Sequence, residues 1–348
     1  MNNQTPKSLG FRMPAEWEKQ EAVWISWPHN LDTWPVEMLE KVENSYIEFV
    51  KALHKGQKIK ILVNNKEMQE HAISKLKNAK ISLSQIVFCK IKNIDGWIRD
   101  YGPTFIINDK TNQKAMVKWV FNAWGNKYEE LKQDNEIPHE MNKLLNFQIF
   151  EPKIVLEGGS IEVNGTGTVI TTEQCLLNKN RNPRLGKEQI ENYLRNYLNI
   201  SNVLWLKEGI AGDDTDGHVD DIARFASQNT VACAFEENET DGNYHILKKN
   251  YDLLLKMKNE NGQPLNVVKL PMPGFVGDSE RRWPASYCNF YIGNEAVVVP
   301  IFGHENDKKA LAILQELFPK RKVLGISSRE LVYGFGSFHC LSQQEPKI

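Results

Sequence analysis

Apolar residues recur at intervals of three and four positions in five stretches of the chain, and this spacing predicts amphipathic helices. The predicted helices span residues 36–54, 66–78, 187–198, 244–257 and 306–318. Short runs rich in Val and Ile lie between them, namely KIKILVNN, IVFCKI, NVVKL and RKVLGI. Such runs are typical of strands, so the pattern indicates the α/β class.

A second unit recurs along the chain, in which two strand-like runs are joined by a polar turn that often contains Asn or Gly. It is found in GPTFIINDKTNQKAMVKWV, GGSIEVNGTGTVITTE, DDIARFASQNTVACAFE and YCNFYIGNEAVVVPIF. These hairpins begin roughly 55 to 65 residues apart, a spacing that marks arrayed supersecondary units. The resulting order is hairpin, helix and strand, repeated about five times, with GSFHCLSQQ as a closing strand.

The array of repeats can be linear or closed. A linear solenoid needs terminal repeats with a polar outer face, and the sequence shows no such pattern. We therefore predict radial closure, which returns Cys340 to the early repeats. No low-complexity linker divides the chain, so we predict one domain at residues 13–348, preceded by a flexible segment at residues 1–12.

The composition limits the classes of partner. The chain carries 43 Lys and Arg against 44 Asp and Glu, a net charge of −1, whereas nucleic-acid binding normally shows as a clustered basic excess. No window approaches the about 18 uninterrupted apolar residues of a membrane helix, and the N-terminus lacks the apolar core of a secretory signal. The five cysteines are widely spaced and form no CxxC pair, which suits a reducing compartment. We predict a cytoplasmic protein without nucleic-acid or membrane partners.

Chemically reactive side chains gather just before each hairpin. They are Asp95, Trp97 and Asp100 in DGWIRDYGP, Glu157 in LEGGS, Asp213, Asp214, His218 and Asp220 in GDDTDGHVDD, and Cys340 in GSFHC. If the hairpins surround one axis, these positions converge. Each residue alone has a structural explanation, since buried cysteines and solvated acidic loops are common. The recurrence of the pattern favours a functional site.

Strand geometry distinguishes two candidate histidines. Alternate residues of an extended chain face the same way, so His218 and Asp220 would share a face, whereas His339 and Cys340 would point to opposite faces. We therefore predict that His218, rather than His339, is the general acid/base for a Cys340 nucleophile. The prediction depends on both stretches being extended.

Carboxylates around a thiol disfavour the thiolate unless the substrate brings a positive charge. A guanidinium group is planar and presents paired N–H donors to carboxylates, so two Asp side chains could hold it with its carbon facing the sulfur. The reaction would be attack by Cys340, loss of ammonia, and hydrolysis of a covalent thiouronium. The sequence thus indicates a small cationic guanidine substrate.

Several motifs, in order along the chain, closely resemble the agmatine deiminases, within the family that also contains the bacterial peptidylarginine deiminases. They are MPAEWE, WISWPHN, WIRDYGPTF, LEGGSIEVNGTGTVITTEQCLLNKNRNP, DTDGHVDDIARF, ASYCNFYIGNEAVVVPIFG and GFGSFHCLSQQEP. The resemblance covers residues 13–348. It implies the guanidine-modifying fold, a five-bladed α/β-propeller (pentein) of five pseudo-fivefold ββαβ units in a single catalytic domain.

The resemblance also implies an activity and a set of residue roles. The activity is hydrolysis of agmatine to N-carbamoylputrescine and ammonia in polyamine (putrescine) biosynthesis, without metal or organic cofactor, in a homodimer or larger homo-oligomer. The implied roles are the nucleophile Cys340, the acid/base His218, its orienting carboxylate Glu157, the guanidinium ligands Asp100 and Asp220, and the pocket-lining Trp97. Asp213 and Asp214 are candidates for the distal ammonium group.

Two alternatives retain the implied fold. Many agmatine deiminases carry Glu where this chain has Asp214, and Arg281 and Arg282 are available to an α-carboxylate. A peptidylarginine or free-arginine deiminase is therefore one alternative. The other is a non-catalytic propeller binding protein, which the complete set of candidate residues disfavours.

A metalloenzyme is a further alternative. His218 and Asp220 could begin a site of two histidines and one carboxylate, with His304 or His339 as a distal ligand. That site leaves Cys340 and Glu157 without a role. The sequence assigns no role to four other residues near the motifs, which are Trp124, Cys175, Arg181 and Asn289.

Overall fold

The computed structural model describes residues 4–348. Its helices are α1 (Val36–Leu53), α2 (Lys66–Asn78), α3 (Ile98–Tyr101), α4 (Ala123–Asn126), α5 (Ile137–Leu145), α6 (Glu173–Leu176), α7 (Lys187–Leu198), α8 (Tyr244–Leu254) and α9 (Asn306–Leu317). The five longest are the five predicted helices, which confirms the amphipathic pattern. The starts and ends of α2 and α7 follow the sequence closely: Asn65 caps α2 by accepting from the Met68 N–H, and α7 ends at Asn199 in the left-handed conformation.

The strands belong to several small sheets of three or four strands. They are β1 (Gln20–Ser26), β2 (Lys58–Val63), β3 (Ile86–Lys90), β4 (Thr104–Asn108), β5 (Gln113–Val117), β6 (Gln148–Phe150), β7 (Glu162–Val163), β8 (Thr168–Thr172), β9 (Asn202–Leu206), β10 (Ala223–Phe225), β11 (Thr230–Phe235), β12 (Asn266–Pro271), β13 (Tyr291–Ile292), β14 (Ala296–Ile301), β15 (Lys322–Ser327) and β16 (Ser342–Pro346). The architecture is therefore mixed α/β.

One pairing pattern recurs in the sheets. Each three-stranded sheet joins an antiparallel hairpin to a third, parallel strand, in the orders β4-β5-β6, β7-β8-β9, β10-β11-β12 and β13-β14-β15. The four predicted hairpins are all present. A parallel strand needs a crossover connection, and α8 and α9 supply it before β12 and β15.

The remaining sheet is built from both ends of the chain. Its order is β16-β1-β2-β3, and β16 pairs antiparallel to β1 with Ser342 opposite Ile25. β16 thus takes the place that the first hairpin strand takes in the other sheets. The predicted meeting of the chain ends is confirmed, and it carries the turn before β16 back to the early part of the chain.

The segments that precede the hairpins lie together. Before β4 comes α3, before β7 a tight turn at Gly158–Ser160, and before β10 a second turn at Val219–Asp221. α3 contacts the Gly158–Ser160 turn, and that turn also contacts the one at Val219–Asp221. The convergence predicted for these stretches is therefore present in the structure.

The hydrophobic core lies between the sheets and the long helices. Phe49 on α1 stacks on Phe338, with ring centroids 5.6 Å apart, which fixes the segment that leads into β16. Of the segment predicted as flexible, residues 1–3 lie outside the described residues; Phe11 is buried and Arg12 pairs with Ile107. Within residues 4–348, none of the helices combines the length and apolar character needed to cross a membrane.

Candidate active site

A cavity of about 310 Å³ lies where the segments before the hairpins converge. Its described acidic lining consists of Asp32, Asp95, Asp100, Glu130 and Asp214, and its aromatic lining of Trp97, Trp124, Tyr128, Tyr333 and Phe335. Cys340 also lines the cavity, and among the described lining residues Arg281 is the only Lys or Arg. Such a cavity suits a small cation with an apolar portion.

Cys340 lies in a turn directly before β16, in which the Leu341 N–H donates to the Ser337 carbonyl at 3.0 Å. Asn289 Nδ2 donates to Cys340 Sγ at 3.0 Å, and Asn289 Oδ1 accepts from the Cys340 N–H at 3.3 Å. One amide side chain therefore fixes both the sulfur and the backbone of the cysteine. The Cys340 carbonyl accepts from the Arg99 N–H at 3.1 Å, which joins this turn to α3.

Asp100, on α3, is a buried carboxylate with two fixed donors. Its Oδ1 accepts from the Gly159 N–H and its Oδ2 from Trp124 Nε1, both at 2.9 Å. A Cβ at position 159 would lie 2.6 Å from His218 Nδ1, 2.9 Å from Asp100 Oδ1 and 3.1 Å from Asp220 Oδ2. Three predicted site residues therefore surround Gly159, and only glycine leaves room for them.

Asp220 is buried beside the cysteine. Its Oδ2 lies 3.6 Å from Cys340 Sγ and accepts from His339 Nδ1 at 2.7 Å. Its Oδ1 is buried and has no hydrogen-bond partner among residues 4–348. A buried carboxylate oxygen without a donor is unfavourable, and an N–H group brought within hydrogen-bond distance would satisfy it, although Asp220 itself does not belong to the described cavity lining.

His218 and Glu157 form a second buried group. His218 Nδ1 lies 3.7 Å from Asp100 Oδ1, and Glu157 Oε1 accepts from Arg181 Nε at 2.7 Å. Within the described part of the chain, His218 Nε2 and Glu157 Oε2 have no partner. Ligand atoms of His218, Glu157 and Cys175 all lie within 4.8 Å of one another. The imidazole therefore has carboxylates on more than one side.

Burial and charge shift the pKa values of these groups in opposite directions. Burial, followed by the carboxylates of Asp220 and Asp221, raises the pKa of the Cys340 thiol well above its usual value. Burial lowers the pKa of His218, but Asp100, Cys175 and Glu157 together outweigh burial, and the pKa of His218 is raised well above its usual value. Without a cation in the cavity, both shifts therefore favour the protonated forms, a thiol at Cys340 and an imidazolium at His218.

The two carboxylates beside the cavity also differ. Burial raises the pKa of Asp100, and the charge of His218 only partly opposes that shift. Burial acts in the same direction on Asp220, but the hydrogen bond from His339 and the charges of His339, His218 and Arg224 together outweigh it and leave the pKa of Asp220 below its usual value. Asp220 is therefore the more firmly ionised of the two.

Trp97 lines the cavity and is held by close packing. Its ring lies 5.0 Å from that of Trp34, and a Cβ at position 336 would approach the Trp97 ring to 2.5 Å. Gly336 thus allows the chain that leads to Cys340 to pass directly over the indole. Trp97 therefore lies in the wall of the cavity, as the sequence predicts.

The two adjacent acids Asp213 and Asp214 have different surroundings. Asp214 lines the cavity and accepts from Tyr128 Oη at 2.5 Å. Asp213 does not belong to the described lining, because its oxygens accept from Thr215 N and Oγ1 and from Gly217 N within its own turn. The geometry therefore brings Asp214, but not Asp213, to the predicted ammonium site.

The two arginines that could bind an α-carboxylate lie in different surroundings. Arg282 Nη1 donates to both carboxylate oxygens of Asp241, at 2.8 and 2.9 Å, and Arg282 lies outside the described cavity lining. Arg281 does line the cavity, and its guanidinium lies 5.2 Å from the Tyr333 ring and 4.4 Å from the Phe335 ring. Only Arg281 is available to a substrate.

The predicted extended geometry is wrong for both histidine stretches. Val219–Asp221 forms a tight turn, and the strand expected at GSFHCLSQQ begins only at Ser342. His339 and Cys340 therefore do not point to opposite sides of a strand, and both approach the same Asp220 oxygen. His218 is nevertheless the histidine beside Asp100, whereas His339 is occupied by Asp220.

The two-histidine metal site considered from the sequence is not assembled. Among residues 4–348, the potential ligands that cluster are Glu157, Cys175 and His218, and Asp220 is not one of them. His304 Nδ1 accepts from the Asn306 N–H at 3.2 Å instead. Within the described residues, His218, Asp220 and His304 are therefore not brought together as the ligands of one metal ion.

Known proteins with similar sequences show the family to which this chain belongs. Residues 12–346 match the family of Porphyromonas-type peptidyl-arginine deiminases. The chain belongs to this deiminase family. The match includes every predicted site residue, from Trp97 to Cys340.

Members with related names are similar along their full length. A relative from Enterococcus faecalis, provisionally named agmatine deiminase, is 39% identical over 366 residues, which cover 99% of this chain and 98% of the relative. A solved structure of the agmatine deiminase of Enterococcus faecalis superposes with a TM-score of 0.92 at 37% identity, covering 100% of this chain and 99% of that one. The structure of a C. jejuni agmatine deiminase variant with substrate bound has a TM-score of 0.86 at 33% identity, covering 96% of each chain.

Several contacts in the site of this deiminase are not evident from the sequence. Asn289 and Trp124 had no assigned role, yet they donate to Cys340 Sγ and to Asp100 Oδ2. Trp124 has a left-handed backbone with φ of 52°, which is uncommon for a non-glycine residue. The neighbouring Gly125 and Asn126 in AWGN are the residues that signal such a turn, and they were the available clue.

Proposed function

We propose that this chain is an agmatine deiminase, which hydrolyses agmatine to N-carbamoylputrescine and ammonia through a covalent intermediate on Cys340. The observation that carries the proposal is the buried contact of Cys340 Sγ with Asp220, whose Oδ1 has no partner among the described residues. A cationic N–H donor satisfies that oxygen and compensates its charge. Relatives that carry the name agmatine deiminase support the same conclusion.

Binding and activation follow from the charges. The guanidinium group donates to Asp220 Oδ1 and lies against Asp100, so its carbon faces Cys340 Sγ. The carboxylates raise the pKa of the thiol in the empty site, and the positive charge of the substrate reverses this effect once it is bound. The thiolate is thus favoured when a cation is present to react with it.

The chemistry then proceeds in two balanced stages. Cys340 Sγ forms a bond to the guanidinium carbon, His218 protonates one terminal nitrogen, and the C–N bond breaks to release ammonia. Water next adds to the thiouronium carbon, His218 accepts one of its protons, the second proton passes to the released ammonia to give ammonium, and the C–S bond breaks to give the ureido product and the thiolate. A carboxylate oxygen of Glu157 lies within 4.8 Å of a ring nitrogen of His218 and stabilises the charged imidazole. Glu157 Oε2 has no partner among the described residues and is therefore free to approach the ring.

Agmatine is preferred in this proposal because the cavity is acidic. Asp214 lines it in contact with Tyr128 and is the group we assign to the distal ammonium. Burial raises the pKa of Asp214, and Tyr128 partly opposes that shift, so an ammonium group would stabilise its ionised form. Arg281 favours the second candidate, an arginine or peptidylarginine deiminase, because it is a cation in reach of an α-carboxylate.

The finer architectural predictions belong to the same proposal. We interpret the recurrent sheets as blades of a pentein propeller within one catalytic domain at residues 13–348, and the pairing of β1 with β16 as its closure. The homo-oligomer, the cytoplasmic location and the polyamine pathway stay predictions.

A comparison of three substrates tests the proposal. Purified wild type, Cys340→Ser and the control Cys89→Ser, which alters a cysteine outside the described cavity lining, are incubated with agmatine, arginine and a peptidyl-arginine. Ammonia and the ureido product are measured by mass spectrometry. We expect turnover of agmatine that only Cys340→Ser abolishes. Activity on arginine or the peptide alone would overturn the substrate assignment, and equal activity of both variants would overturn the mechanism.

A further inference from the structure

His339, which the proposed reaction does not use, lies buried between two carboxylates. Its Nδ1 is 2.7 Å from Asp220 Oδ2, and its Nε2 is 3.0 Å from Glu16 Oε2. Each ring nitrogen of His339 therefore faces a carboxylate oxygen. The imidazole forms a link between Glu16 and Asp220.

Glu16 is a rigid support for this link. Its Oε1 accepts from Arg224 Nη2 at 3.0 Å and from the Ile292 N–H at 2.7 Å, and its Oε2 also faces Arg99 Nη2 at 3.2 Å. Although burial raises the pKa of Glu16, Arg224 and then His339 outweigh it, and the pKa lies well below its usual range. Glu16 is ionised and held by three elements of the fold.

The link ends at the oxygen that faces the nucleophile. Asp220 Oδ2 accepts from His339 and lies 3.6 Å from Cys340 Sγ, while Oδ1 is the oxygen without a partner among the described residues. The donor on Oδ2 thus determines which way Oδ1 points. The His339 N–H also donates to Asn289 Oδ1 at 3.1 Å, next to the contact that Asn289 makes with Cys340.

We propose that His339, held by Glu16, is a positioning residue that orients Asp220 so that Oδ1 is presented to the guanidinium group of the substrate. The proposal rests on the proposed function, because it concerns the same cation site. The role of His339 is indirect: it touches Asp220 and not the substrate. A fixed acceptor avoids the cost of reorganising the carboxylate when the cation binds.

Several charged residues surround His339. Glu16 and Asp220 face its ring, Arg99 Nε donates to its carbonyl at 3.2 Å, and Arg224 reaches it through Glu16. Removal of the ring therefore perturbs the fold as well as the site. The test must distinguish orientation of Asp220 from general loss of stability.

Two amide variants separate the two ends of the link. An asparagine amide nitrogen occupies about the place of imidazole Nδ1, so His339→Asn keeps a donor for Asp220 and loses the contact with Glu16. A glutamine amide nitrogen corresponds to Nε2, so His339→Gln keeps a donor for Glu16 and loses the one for Asp220. Both variants replace the imidazole by a neutral amide, which makes each a control for the other.

Alkylation of Cys340 supplies a readout that does not require turnover. Iodoacetamide is neutral, whereas 2-chloroacetamidine carries an amidinium that resembles the guanidinium group, and in both reactions the sulfur displaces a halide from carbon. The ratio of the two rate constants, measured on the Cys340 peptide by mass spectrometry, reports how strongly the site attracts a planar cation. Thermal unfolding of each variant is recorded in parallel.

We expect the ratio to fall about tenfold or more in His339→Gln and less than threefold in His339→Asn, because a hydrogen bond to a charged group contributes on that order. Equal ratios in the two variants, or a fall that only follows loss of thermal stability, would overturn the proposal. If the glutamine variant does not fold, Glu16→Gln is used, and an unchanged ratio there overturns the link. Absence of ammonia from agmatine with wild-type protein would overturn the proposed function alone, since the alkylation ratio is independent of it.

Discussion

Trp124→Phe would remove one donor from the proposed guanidinium site and leave an aromatic wall in its place. The indole Nε1 donates to Asp100 Oδ2 at 2.9 Å, and Trp124 is only 6% exposed, so water cannot freely replace the lost donor. A phenyl ring retains packing against Phe121, whose centroid lies 5.1 Å from that of the indole. The substitution therefore acts mainly on the charge of Asp100.

The size and direction of the effect follow from that hydrogen bond. A hydrogen bond to a charged group contributes about 1.5–3 kcal/mol, so we expect kcat/KM for agmatine to fall by about 10- to 100-fold. Burial already raises the pKa of Asp100, and the Trp124 donor is one of the contacts that oppose this shift. Loss of the donor raises the pKa further. Asp100 holds a cation only when ionised, so activity is lost as pH falls through its pKa, and the acid limb moves to higher pH.

The assay is steady-state ammonia release across pH, with Trp119→Phe as the matched control. Trp119 Nε1 also donates a buried hydrogen bond, at 3.0 Å, but to the neutral Thr104 Oγ1 and outside the described cavity lining. The control should leave the acid limb where it is in wild type. An acid limb that does not move in Trp124→Phe, or one that moves equally in both variants, would refute the reasoning.

Two further substitutions address packing and charge. Gly159→Ala places a Cβ 2.6 Å from Nδ1 of His218, the proposed acid/base, so kcat should fall at least about 100-fold. The control Gly186→Ala, whose nearest contact is 3.8 Å away, should leave kcat within about twofold of wild type, roughly the range of a surface change. Ammonia release measures both variants, and equal rates would contradict the steric argument. Arg181→Met leaves Glu157 buried without its 2.7 Å partner and should lower the free energy of unfolding in urea by about 3–5 kcal/mol. Arg195→Met, at a partly exposed pair, should cost no more than about 1 kcal/mol, and a similar cost for both would count against the uncompensated charge.

The elements that depend on local pattern were predictable from the sequence. The spacing of apolar residues located α2 and α7 to the residue, because helices expose one face and bury the other over several turns. The hairpins followed in the same way from paired strand-like runs around polar turns. The meeting of the chain ends followed from the absence of capping repeats, and the pairing of β1 with β16 bears it out.

The details that depend on distant residues were not predictable. The sequence favours His218 over His339 on the expectation of an extended stretch, whereas a turn places His339 against Asp220, 119 residues earlier in the chain. Its other partner, Glu16, lies in MPAEWE, a motif to which the sequence assigns no catalytic role. Asn289 donates to Cys340, which lies 51 residues later in the chain. The oxygens of Asp213 accept hydrogen bonds from its own turn. Such contacts arise from tertiary packing, which a single sequence does not encode as a local pattern.

The pairing of β1 with β16 has a consequence for the order of events during synthesis. Trp24 on β1 and Glu345 on β16 form a hydrogen bond across 321 residues, a very high sequence separation, and contacts of this kind close late because their loop entropy must be overcome first. On the ribosome, β1 must wait for its partner until β16 has left the exit tunnel. The nascent chain therefore carries the carboxylates of Asp100, Glu157 and Asp220 long before it carries the thiol of Cys340, and the candidate site is complete only when nearly all of the fold has been synthesised.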